Sequence, residues 1–130
     1  MVETRTALIH LADFGIVIAR IKKDILQSLD DAARNLSAAV EVAAGQRRPL
    51  LIDIRAALPL DDDVRRRYSG SRVVDHFSAL GLVVDDGPFG RMMGNLYFRV
   101  ADLTIATRLF AGEGEAVAWL LEYRTPQPER

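Results

Sequence analysis

Six charged side chains in seven residues invite a chemical reading: Asp61, Asp62 and Asp63, then Arg65, Arg66 and Arg67 after Val64. Clustered carboxylates can hold Mg²⁺ or Ca²⁺ when a second acidic group joins them, and Asp85-Asp86 is the candidate for that second group. Guanidinium groups in a row can face a phosphate or a nucleic-acid backbone, and Arg72 follows closely. The plainest chemistry needs no ligand. Acids at a helix start complement the positive end of its dipole, and each aspartate lies four residues before an arginine. The three resulting i,i+4 pairs are worth ~0.2–0.5 kcal/mol apiece. Adjacent arginines point in different directions around a helix, the acids oppose their field, and no aromatic ladder is interleaved. A nucleic-acid partner is therefore not expected.

Other candidate chemistry is sparse. The chain has no cysteine, which removes thiolate metal sites, disulfides and cysteine nucleophiles. His10 and His76 are the two histidines; neither has partners at ligand or base spacing, so both read as structural or surface residues. No G-x-S-x-G elbow, H-E-x-x-H helix, Walker loop or G-x-G-x-x-G turn occurs. A receiver-type phosphoacceptor domain also gathers carboxylates at strand ends, but Asp13 stands alone in its turn and no lysine follows the last expected strand. No catalytic residue, metal site or cofactor is expected.

The elements that must position these charges follow from periodicity. Thr6 to Ala12 and Ile16 to Lys22 are β-prone runs joined by Asp13-Phe14-Gly15, a hairpin in which glycine supplies positive φ. Asp24, with Gln27 three residues on, is expected to cap a helix carrying Ile25, Leu29, Ala33, Leu36, Val40 and Ala43 inward, with Gly45 as its end. Pro49 leads into Leu50–Ile54, a short apolar run that suits a central strand covered on both faces. A helix from Asp61 to Tyr68 is loosened or ended by Ser69-Gly70-Ser71. Phe77 to Val84 reads as a strand, Asp85-Asp86-Gly87 as a turn, and Pro88 as the first turn of a helix with Phe89, Met92, Met93, Leu96 and Val100 on one face. Residues 104–110 alternate as a strand, and Glu113 to Tyr123 forms a last helix with Val117, Leu120 and Leu121 inward; residues 124–130 are expected to fray.

Strands alternating with helices after an opening hairpin predict an α/β sandwich in one domain spanning residues 1–130. It would hold a mixed five-stranded sheet, parallel after the hairpin, and about four helices. With 49% hydrophobic residues and a formal net charge of −1, 130 residues suit one soluble globular core and not a polycationic nucleic-acid binder. The N-terminus lacks a basic region before an apolar stretch, and no apolar run approaches ~18 residues, so a cytoplasmic protein without membrane insertion is expected.

The strand "LIDI" (Leu51 to Ile54) followed by Asp61-Asp62-Asp63-Val64 resembles the sulfate-transporter and anti-sigma-factor-antagonist (STAS) family. In that family a strand aspartate precedes a helix whose serine is a phosphorylation switch. Asp53 matches the strand aspartate and Asp61 the acid of the motif; Asp62 and Asp63 stand at the two serines, and Val64 at a glycine. The resemblance implies that Asp63, the phosphoserine equivalent, carries permanently the charge that relatives gain by modification, with about half its magnitude. "LIDIR", Gly94-Asn95, "TRLF" (Thr107 to Phe110) and "GEAVAWL" (Gly114 to Leu120) are also similar to small bacterial STAS-like proteins related in fold to the sporulation anti-anti-sigma factor. That likeness carries no activity with it.

The expected function is a non-catalytic regulatory or protein-interaction module. Asp61, Asp62, Asp63, Arg65, Arg66, Arg67 and Arg72, with the "SGSR" loop, would form its recognition surface. The resemblance implies a protein partner such as a regulatory kinase or a sigma-pathway component, and homodimerisation is a further expectation. The alternatives are a small-molecule or lipid carrier with an apolar pocket between the sheet and the Phe89 to Val100 helix, and, behind it, a metal-assisted hydrolase using Asp61 and Asp85.

Overall fold

Three antiparallel strands open the chain: β1 (Val2–Glu3), β2 (Ala7–Leu11) and β3 (Val17–Ile21). They are seen in a computed structural model that describes residues 1–55, 57–68, 71–97 and 104–124. Gly15 takes φ +89° in the β2–β3 turn, a conformation that only glycine adopts freely, and this fixes the register Ala7↔Ile21 to Leu11↔Val17. From β3 onward the strands run parallel: β4 (Arg48–Asp53), β5 (Phe77–Val83) and β6 (Ala106–Phe110). The sheet order is the chain order. The sheet has six strands where the pattern predicts five, because Val2–Glu3 pairs with β2; two residues are too short to show a period.

Helices provide the crossovers that parallel pairing requires. α1 (Leu29–Val42) joins β3 to β4, α2 (Asp62–Tyr68) and α3 (Ser71–His76) lie between β4 and β5, and α4 (Pro88–Tyr97) lies between β5 and β6. α5 (Glu113–Leu120) follows β6 and tightens into a 3₁₀ turn at Leu121–Tyr123. The expected fraying of the tail concerns residues 124–130, of which all but Arg124 lie outside the described residues.

Alternation along the strands builds two cores. Leu50, Ile52, Leu80 and Leu82 face α1, α2 and α3, where they meet Ala32, Leu36, Ala39, Val64, Tyr68 and Val73. Leu51, Ala79 and Val83 face the other way, with Ile18 and Phe110, onto Ala116 and Leu120 of α5. The central strands are thus apolar on both faces along their middles, as the short apolar run at Leu50-Leu51-Ile52 predicts. Each fully buried leucine or isoleucine among them contributes about 1.5–3 kcal/mol. Gly81 lies under Leu120: a Cβ there would stand 3.1 Å from Leu120 Cδ1, so the absence of a side chain lets α5 approach the sheet. The β4–β5 ladder shifts register between Arg48 and Leu50, where Pro49 has no N–H to offer.

Several local expectations are corrected. α1 starts at Leu29, capped by Ser28 with Asp31, and not by Asp24 with Gln27. Asp24 has φ +56° in a turn, outside the extended region an N-cap requires. Asp31 prevails because its carboxylate serves two ends: it accepts from Ser28 N at 2.8 Å and receives the Arg5 guanidinium arriving from the β1–β2 connection. At the other end Ala44 and Gly45 both take positive φ, in line with the stop expected at Gly45. Ser71 and Arg72 begin α3 instead of extending a loop; Ser69, Gly70 and the Arg72 side chain lie outside the described residues. On α4, Met93 is buried but Met92 is half exposed, so the apolar face is narrower than the periodicity implies. The side chains of Phe89 and Leu96, and Val100 as a whole, lie outside the described residues.

Candidate functional site

Beyond Asp53 the chain leaves the carboxyl end of β4, the end of a parallel sheet where ligands and partners dock in α/β folds. A turn closed by Ala57 N donating to Ile54 O (3.0 Å) carries it toward α2. Asp61, Asp62 and Asp63 are all exposed there. Val64 and Tyr68, one helical turn apart, are 2% and 3% exposed. A single inward stripe therefore seats the short helix and leaves its acids outside. Tyr68 also carries a polar anchor: its hydroxyl donates to Gln27 Oε1 and accepts from Asn35 Nδ2 at 2.8 Å. Asn35, on α1, donates further to Thr6 Oγ1 at 2.8 Å and accepts from Thr4 Oγ1. Buried polar groups stabilise a fold only when they are paired, and this network ties α2 to α1 and to the start of the sheet.

The three i,i+4 ion pairs expected on α2 do not form among the described residues; one i,i+3 pair, Asp62–Arg65, does. Arg65 follows buried Val64 and is drawn against the helix, its side chain 14% exposed, so its guanidinium folds back toward Asp62. Its Nε is buried with no hydrogen-bond partner among the described residues. Arg66 and Arg67 are exposed. At this surface an ion pair contributes ~0–1 kcal/mol, so these charges matter more for what they meet than for folding.

A second charged group gathers around Asp53, which the sequence pattern does not join to Arg20. Arg20 on β3 lies beside Asp53 on β4 in the parallel register. Asp53 takes Arg55 in a two-point pair, Nε to Oδ1 at 3.0 Å and Nη2 to Oδ2 at 2.7 Å. Arg20 reaches Glu113 at the start of α5. The Arg55 guanidinium is held above its ordinary pKa, first by its hydrogen bonds to Asp53 and then by the fields of Asp53, Glu113 and Asp85. The motif aspartate of the resemblance is thus engaged in joining β4 to its own following turn. The i,i+2 spacing of Asp53 and Arg55 is visible in the sequence, but Arg20 and Glu113 are 93 residues apart and meet only through the sheet.

Among the described residues no three histidine, aspartate or glutamate side chains stand close enough to hold a metal ion. Asp85 instead borders, with Asp24, a hollow of about 210 Å³ floored by Ile54, Ala57, Leu58, Pro59, Val84 and Met93. That hollow lies where an apolar carrier pocket is expected beside α4, and its described part is smaller than the ~300 Å³ at which small-ligand pockets begin. The enclosed space between the sheet and α1, lined by Ile9, Leu36, Ile52 and Tyr68 among others, is about 20 Å³. His10 is half-buried on β2 and His76 exposed at the end of α3. Among the described residues no helix is long and apolar enough to cross a membrane.

A family model described as a domain of unknown function (DUF7793) matches residues 9–124. No curated protein matches the chain. Among solved structures, the chain is similar to the crystal structure of an uncharacterized protein from the DUF3478 family with a SpoIIAA-like fold, from Shewanella loihica PV-4. The two are 14% identical, the match covers 92% of this chain and 98% of that one, and the TM-score is 0.63. At such identity the likeness speaks for the fold: the hairpin-led SpoIIAA-like α/β architecture expected from the residues is the architecture of this chain.

Proposed function

The chain belongs to the DUF7793 family, and within its SpoIIAA-like fold we propose that it acts as a non-catalytic protein-interaction module of STAS-like type, meeting its partner through the acidic start of α2. The observation that carries this reading is the division of labour on α2, where Val64 and Tyr68 are locked inward while Asp61, Asp62 and Asp63 are exposed. A helix anchored in this way offers fixed charges, so a partner pays little to order them. Asp63 stands where the resemblance puts a switchable serine, and its carboxylate supplies a permanent charge in place of a transferable one. The complementary partner surface is basic, and the fold resemblance points to regulatory-kinase or sigma-pathway components as the class. Arg66 and Arg67, exposed on the same helix, would disfavour a partner docked in the wrong register.

The test is a comparison of cross-linked contact sites. Wild-type protein carrying a photo-crosslinker at Arg66 is expected to capture a partner that Asp62→Ser/Asp63→Ser protein, equally folded by circular dichroism, captures poorly. Equal capture by both removes α2 as the recognition surface.

A further inference from the structure

The opposite end of the sheet carries a site that this interaction role does not use. The β2–β3 turn, the start of β4 and the segment after α5 enclose a hollow of about 470 Å³, within the ~300–1,000 Å³ range of small-ligand pockets. Arg48 and Arg124 flank Gly15 in it: a Cβ on that glycine would stand 3.3 Å from Arg48 Nη1 and 3.9 Å from Arg124 Cδ. The two guanidinium groups rest on successive carbonyls of one turn, Arg124 Nη1 donating to Phe14 O at 3.3 Å and Arg48 Nη1 to Gly15 O at 3.5 Å. Their Nε atoms donate to Leu121 O at 3.4 Å and to Ala43 O at 2.9 Å. Arg47 borders the same hollow.

Two like charges are thus held side by side by neutral acceptors. Neither Arg48 nor Arg124 forms an ion pair among the described residues. Asp13 is the single acid among the lining residues, against three arginines. Each guanidinium has five N–H donors, and the carbonyl contacts use two of those on Arg48 and two on Arg124, so donors remain for a ligand. Leu11 and Phe14, 38% and 39% exposed, give the hollow an apolar wall.

We propose that this hollow binds a soluble phosphomonoester dianion carrying a ring or short apolar group. A dianion matches the two guanidinium charges of Arg48 and Arg124, guanidinium forks match phosphoryl oxygens, and the ring would lie on Phe14. Arg48, anchored on Ala43 O at 2.9 Å, loses little freedom on binding, which favours a small ligand over one that must order its own site.

Phenyl phosphate is the probe, titrated into the full chain by calorimetry and by amide NMR, with benzoate as a monoanionic control. Saturable binding below ~10 mM is expected, at least ~10-fold tighter than benzoate. Arg124→Gln and Arg48→Gln should each weaken it by ~10-fold or more, and Asp13→Asn should tighten it by ~3-fold. Because Arg48 also holds the end of α1, Arg124→Gln decides the matter if Arg48→Gln fails to fold. No saturable binding, equal binding of benzoate, or unchanged affinity in Arg124→Gln overturns the proposal. Association with phosphatidic-acid vesicles without binding of phenyl phosphate also overturns it, since the lipid headgroup would then be the ligand.

Discussion

Removing one oxygen from Tyr68 tests how α2 is held. In Tyr68→Phe the ring stays in place between α2 and α1, and two hydrogen bonds disappear, one to Gln27 Oε1 and one from Asn35 Nδ2. The groups left behind are not orphaned. Asn35 Nδ2 retains Thr6 Oγ1 at 2.8 Å and Gln27 Oε1 at 3.2 Å, so Gln27 also keeps a donor. Two buried hydrogen bonds at a net ~0.5–1.5 kcal/mol each give an expected loss of about 1–3 kcal/mol. Asn35→Ala is a harsher change at the same place. It strips the amide from Thr4, Thr6, Gln27 and Tyr68 together, leaving several buried polar groups to find new partners, and should cost about 3–5 kcal/mol. Urea unfolding reads both: the midpoint should fall in the order wild type, Tyr68→Phe, Asn35→Ala, with unchanged slope. Amide exchange in α2 should quicken in Tyr68→Phe before exchange in β4 does. A Tyr68→Phe protein as stable as wild type, or less stable than Asn35→Ala, refutes the reasoning.

Acid sensitivity should centre on Asp31, whose carboxyl is lowered from 3.8 to about 2 chiefly by the hydrogen bonds from Arg5, opposed by burial and assisted by Ser28. A depressed folded-state value makes its contribution complete above about pH 4 and lost as pH falls through about 2. After discounting for the exposure of Arg5, that contribution is about 1–2 kcal/mol, and Asp31→Asn should abolish this part of the pH dependence of urea unfolding. Gly90→Ala should be far more damaging than Gly81→Ala. A Cβ at position 90 would lie 1.5 Å from the Asp85 carbonyl oxygen, a backbone atom, whereas at position 81 it meets the flexible end of Leu120 at 3.1 Å. Thermal melts of the two variants, expected to differ by more than ~2 kcal/mol, provide the check. Glu113→Gln removes the partner of partly exposed Arg20 and should change stability by under ~1 kcal/mol; a larger loss in urea would mean that this pair clamps α5 to the sheet.

Legibility in the sequence followed distance along the chain. The hairpin around Gly15, the apolar run of β4 and the proline start of α4 announce themselves, because turn chemistry and periodicity are local. The first helix shows where local signals become ambiguous. Asp24 with Gln27 is the expected cap; Ser28 with Asp31 caps the helix instead, and Asp31 is also held by Arg5 from 26 residues away, a contact no local spacing encodes. The exposure of Asp61, Asp62 and Asp63 was readable from their type, while the single Asp62–Arg65 pair depended on how Val64 seats the helix. Arg20 with Glu113, and Arg48 with Arg124, were beyond reach for the same reason: strand order and the return of the chain after α5 place them together, and no spacing encodes that.

The role of α2 is tested most directly by the dissociation constant of the chain with its captured partner, measured by calorimetry at low and at physiological salt. With Asp61, Asp62 and Asp63 all changed to asparagine, binding should weaken by ~10-fold or more and lose most of its salt dependence. An unchanged constant at both salt concentrations, in a variant that unfolds in urea like wild type, would contradict recognition through these carboxylates.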